Sequence, residues 1–179
     1  FREFDLGCMI NAFPTTIEGL QPVLDLAIEA NASYVNIIGQ VMPFTVDEGV
    51  EVVKQWMAMA EASNVPILFE THRNCITNDL FYMLQLMERV PNMPICADLS
   101  HYVVDREFWF PLSDDDQALI RPILERADSF QGRVAGREQI QLQLNFPQHQ
   151  KWVDQFRQWW KEGITSWKKR NSSDARMIF

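Results

Sequence analysis

Ile67-Leu68-Phe69-Glu70-Thr71-His72-Arg73-Asn74 and, further along, Ile95-Cys96-Ala97-Asp98-Leu99-Ser100-His101 share one plan. In each, a short apolar run ends on a carboxylate and a histidine follows within three residues. A run of this length, flanked by turn residues and followed by a longer amphipathic stretch, reads as a strand leading into a helix. The same alternation extends outward in both directions. Residues 6–13 and 34–39 read as earlier strands, and residues 129–134 as a fifth. Between them lie helical stretches. Thr15 with Glu18, and Thr45 with Glu48, have capping-box spacing at two helix starts. A third helix is expected over 77–89. Ser113, followed by Asp114-Asp115-Asp116, opens a fourth that runs to about residue 127. The Trp-rich segment 152–168 forms the last.

Five consecutive βα units define an α/β chain with a parallel sheet. Several strands are apolar almost throughout, as expected when both faces are covered. Two architectures remain, an open doubly wound sheet and a closed (β/α)8 barrel. No GxGxxG or GxxxxGK[ST] string marks a nucleotide-binding switch point. The chain has 179 residues, and a full barrel takes about 250. Residues 1–179 are therefore expected to form one barrel domain represented by about five central units. The apolar ends, Phe1 and Met177-Ile178-Phe179, read as cuts through structure.

The net charge of −8 argues against nucleic acid as a partner, because phosphate-backbone binding rests on clustered Lys and Arg. The three cysteines form no CxxC and are odd in number, which fits a reducing cytoplasm. No apolar run approaches the roughly 18 residues of a membrane span, and no membrane partner is expected. The aromatic set on 152–168 is helix packing in the main, and part of it fits an interface in a homo-oligomer. Within the long connection 99–113, the segment 102–111 is the expected lid or oligomer-contact loop.

In a barrel, the C-terminal strand ends build the active site. Glu70 and Asp98, each ending a strand, would meet there and repel. A divalent cation relieves that repulsion, and oxygen plus imidazole donors suit manganese, magnesium, cobalt or zinc. Glu70 is then placed to remove a proton beside a substrate carbonyl, with His72 orienting substrate groups. Arg133, read as lying within the fifth strand, is a substrate ligand or a partner of Asp98. Asn36 and Gln40, ending the second strand, face the mouth or bond within loops. One bland alternative is that both histidines only cap loops.

The strings Phe69-Glu70-Thr71-His72-Arg73-Asn74 and Ala97-Asp98-Leu99-Ser100-His101 resemble the strand-end motifs of the sugar phosphate isomerase/epimerase family, the xylose isomerase-like TIM barrels. The resemblance spans roughly residues 6–167. It implies one metal ion, manganese first, held by four ligands from the last four strands. Glu70 would be the first and Asp98 the second. The third position falls at Gln131, where the family has His, and the fourth beyond Phe179. It also implies that His101 and Arg137 contact substrate. The implied activity is isomerisation or epimerisation of a sugar, keto-sugar or cyclitol through a metal-bound enediolate. A lyase, dehydratase or deglycosidase acting on an oxidised sugar, and a degenerate non-catalytic barrel, are the alternatives.

Overall fold

The computed structural model describes residues 4 and 6–179. Phe1, one of the two apolar ends noted above, lies outside them. The element order is β1 (Ile10–Ala12), α1 (Gln21–Ala30), β2 (Val35–Ile37), α2 (Val46–Ala62), β3 (Ile67–Glu70), α3 (Leu80–Arg89), β4 (Ile95–Ala97), α4 (Leu99–Asp105), α5 (Asp114–Arg126), β5 (Ser129–Phe130) and α6 (Gln150–Arg170). The five strands form one parallel sheet in the order β1-β2-β3-β4-β5. A doubly wound sheet requires the strand order to reverse at a switch point. Among the described residues the order does not reverse, so this sheet contains no such switch point. Right-handed crossovers repeated in one direction place their helices on one face.

Register divides the sheet into two chemically different faces, because side-by-side partners point the same way. Ile37, Phe69 and Ile95 share one face, and Ala97 and Phe130 continue it. This face meets the helices. Phe69 lies 6.2 Å from the Trp56 ring of α2, and Phe130 packs on Gly163 of α6. Phe69, Phe130, Trp56 and Phe156 are essentially fully buried, each contributing about 1.5–3 kcal/mol over exposure. The opposite face carries Asn36, Leu68, Glu70, Cys96 and Ser129. It is polar, yet Asn36, Glu70, Cys96 and Ser129 are all buried.

The helix starts agree with their local chemistry in part. Thr45 and Glu48 form the expected capping box, as do Ser113 and Asp116. The box at Thr15 and Glu18 does not form. Instead Thr16 Oγ1 accepts from the Gly19 N–H at 3.1 Å, and a short 3-10 turn, Glu18–Leu20, leads into α1. The third helix begins at Leu80 with Asp79 as its cap. Thr77 is unavailable because its hydroxyl donates to the Glu70 carbonyl and accepts from the His72 N–H. The connection after Asp98 holds an unanticipated helix, α4, whose Tyr102 and Val103 are core residues. A lid is thereby limited to the stretch beyond it, where Trp109 is exposed. The fifth strand ends at Phe130, so Arg133 lies in the loop after it. Only the Gln131 N–H extends the pairing, to the Ala97 carbonyl at 3.1 Å. No helix among the described residues is long and apolar enough to cross a membrane.

Candidate metal centre

Glu70 is the last residue of β3, on the polar face, 3% exposed. A carboxylate at that depth needs donors. Asn36 of β2 donates its Nδ2 to Glu70 Oε2, and also to Asn11 Oδ1 at 3.0 Å. Gln131, beyond β5, donates Nε2 to the same Glu70 oxygen at 3.3 Å. Glu70 Oε1 makes no hydrogen bond among the described residues. Burial raises the Glu70 carboxyl above its usual range, and the nearby Asp98 charge adds to this.

Asp98 follows β4 and caps α4. Its Oδ1 accepts from the Ser100 N–H at 3.0 Å and from the Ser100 hydroxyl. That cap is what starts the helix here, and one turn later it brings His101 back over Asp98. His101 Nε2 lies 3.5 Å from Asp98 Oδ2. This contact lacks hydrogen-bond geometry, so both His101 ring nitrogens and Asp98 Oδ2 are buried without a hydrogen bond, Oδ2 keeping only its ion pair with Arg133. Such orphaned atoms are rare and demand a partner. Burial also raises the Asp98 carboxyl. His101 is pushed down to about 3, by burial first and then by the neighbouring His72, Arg133 and Arg73. Its imidazole is therefore neutral at pH 7, the form that ligates metals.

The loop after β3 sets His72 against His101. Thr71 and Thr77 tie it to the strands, and the Tyr102 hydroxyl of α4 donates to the Thr77 carbonyl at 2.8 Å. Asn74 takes a left-handed turn, φ 55°, which asparagine tolerates. The rings of His72 and His101 end 3.9 Å apart. His72 Nδ1 is 2.6 Å from the Arg73 carbonyl, an arrangement that leaves Nε2 free to ligate.

Ligand atoms of Glu70, His72 and His101 thus lie within 4.8 Å of one another. This trio can hold a metal ion. The donor set fits one: a carboxylate, a neutral imidazole, a second imidazole with a free nitrogen, and an Asp98 oxygen without a hydrogen bond beside them. The structure brings His72 into the donor cluster, where the sequence suggested substrate contact. Asp98, expected as a ligand, stands next to His101. Gln131 reaches the site by donating to Glu70. Arg133 approaches Asp98, its Nε 3.4 Å from Oδ2. Arg137 lies apart, bonded to Glu107 Oε2 at 2.9 Å and stacked 3.7 Å above Trp109. Asn36 belongs to the centre through its bond to Glu70. A polar residue inside the apolar run 34–39 was the signal for it.

A surface hollow of about 600 Å³ lies between α5 and α6, away from these residues. Neither a scan of the chain against protein-family models nor a search of curated proteins finds a match.

Proposed function

We propose that Glu70, His72 and His101, with Asp98 beside them, form a divalent-cation centre for proton transfer next to a substrate carbonyl. On this reading the chain is a metal-dependent isomerase or epimerase of a sugar, keto-sugar or cyclitol, and its sheet is the continuous arc of a (β/α)8 barrel. The observation that carries the proposal is the set of buried polar atoms without hydrogen bonds at the strand ends. Two carboxyls raised by burial and a histidine with both nitrogens idle make poor internal packing, and a cation satisfies them together. The barrel reading draws support from the unreversed strand order and from a buried polar face opposite the helices.

A divalent cation supplies Lewis-acid polarisation of a carbonyl and its neighbouring hydroxyl, which acidifies the adjacent C–H. Glu70 takes up that proton. Burial makes it a stronger base than a solvated carboxylate, and Asn36 and Gln131 fix its Oε2 so that Oε1 faces the substrate. His101, neutral and beside Asp98, hydrogen-bonds a substrate hydroxyl when not ligating. Manganese is the cation first tried, since mixed oxygen and imidazole donors accept it.

The test is hydrogen exchange. The protein is incubated with manganese(II) and D-fructose, D-xylulose or dihydroxyacetone in heavy water, and proton NMR follows the C–H next to the carbonyl. Exchange that requires the protein and vanishes in Glu70→Gln supports the reading. Exchange at equal rates in wild type and Glu70→Gln removes Glu70 as the base.

A further inference from the structure

Arg133 is poorly used by the fold. Its Nε lies 3.4 Å from Asp98 Oδ2, and its guanidinium makes no hydrogen bond among the described residues. Its side chain is 32% exposed, so the fork faces an open space. That space is a cavity of about 280 Å³ lined by Gln131, Arg133, Val134, Gln141, Leu142 and Leu144. Gln131 connects the cavity directly to the centre through its bond to Glu70. The Gln-rich stretch 138–147 supplies Gln141 to the lining. Arg73, on the loop after β3, makes no ion pair among the described residues and contributes positive potential at His101. An acidic chain, net −8, thus sets two cations beside its candidate centre, Arg73 without an ion pair among the described residues and Arg133 paired only with Asp98.

A guanidinium fork matches an oxyanion with two in-plane oxygens. A single Arg, already shared with Asp98, balances about one negative charge. That suits a carboxylate better than a phosphate monoester, which carries nearly two. Once a cation takes up the charge of Asp98, Arg133 has no acid left to neutralise. Building on the cation-centre reading, we infer that the site takes a hydroxy or keto acid, whose carboxylate docks on Arg133 in the Gln131–Leu144 cavity. Gln141 and Gln131 offer amide groups to the hydroxyls of the same molecule.

The test compares two probes of one skeleton, D-gluconate and D-glucitol, by isothermal titration into the protein with and without manganese(II). Gluconate is expected to bind at least about tenfold more tightly, the scale of one charge-assisted contact. Arg133→Gln is expected to abolish the preference while leaving glucitol unchanged. Arg133→Lys, which keeps the charge but not the fork, is expected to recover only part of it, and a cooperative melt verifies that each variant is folded. Equal binding of the two probes by wild type, or binding of neither, overturns the inference. A preference that survives Arg133→Gln overturns it too, because the carboxylate then sits on the cation. Retained manganese with no gluconate preference leaves the centre standing without this substrate class. An Arg133-dependent preference with no manganese retained supports the anion site and removes the cation reading alone.

Discussion

His72, on the loop after β3, and His101, on helix α4 after β4, bring their rings to 3.9 Å from each other beside Glu70. Nothing in either segment brings them together alone. Thr77 binds the first loop down to β3, and Tyr102 of α4 holds Thr77 in turn. The candidate centre is thus held by backbone-directed bonds from both sides, with the ligating atoms left open.

The amide of Asn36 holds Glu70 from the next strand without joining the donor trio. Partners of this kind orient a ligand, and their loss costs about 10–100-fold in metal affinity. Asn36→Ala is expected to weaken manganese binding by about that factor while the fold is retained. Equilibrium dialysis with a circular dichroism melt checks it. An unchanged affinity means that Gln131 alone positions the carboxylate.

The cation-free protein is expected to carry an unfavourable charge burden that grows with pH. Burial raises Glu70 and Asp98 in the folded state, so their contribution is fully present below the ordinary carboxylate range near 4. It is lost as pH rises through the raised folded values. His101 acts in the opposite sense. Held neutral down to about 3, it contributes above its unfolded value near 6.5, and that contribution fades as pH falls toward 3. In chelator, Glu70→Gln is therefore expected to be more stable than wild type at pH 8, with the advantage shrinking toward pH 4. Urea unfolding at several pH values measures the gap. A gap that does not change with pH contradicts the burial account.

Much of this was legible before any coordinates. The five strands, the Thr45–Glu48 capping box, the Ser113 cap and the carboxylates of Glu70 and Asp98 follow from apolar runs and short-range hydrogen-bonding chemistry. Other features depend on contacts distant in sequence. Thr15 has the spacing of a cap, yet Thr16 claims the local N–H. Helix α4 has only seven residues, too few to show the periodicity that identifies a surface helix. The metal trio depends on how α4 turns His101 toward His72, which no spacing rule encodes. Arg137 sits by Glu107 and Trp109 because a loop fold brings residue 107 to it.

Packing between β5 and α6 depends on a missing side chain. A Cβ at Gly163 would run into the Phe130 ring. Gly163→Ala is expected to lower stability by about 1–3 kcal/mol through overpacking, despite the better helix propensity of alanine. Denaturant unfolding reports it, and a stabilised variant would mean that α6 shifts freely on the sheet.

The three thiols are expected to react in order of access. Cys8 is partly exposed, whereas Cys75 and Cys96 are buried. Burial, with the charge of Glu70 adding, pushes the Cys96 thiol up to about 12, which leaves almost no thiolate at neutral pH. Iodoacetamide labelling followed by peptide mass spectrometry should find Cys8 modified first and Cys96 only after unfolding. Early labelling of Cys96 would place it at an open surface.

The most direct measurement is the manganese content of the protein after dialysis against manganese(II), by elemental analysis, for wild type, Glu70→Ala and His101→Ala. The account predicts about one ion per chain in wild type, with a loss of at least about tenfold in affinity in each variant. No bound manganese in wild type, or equal binding in all three, contradicts a cation centre at Glu70, His72 and His101.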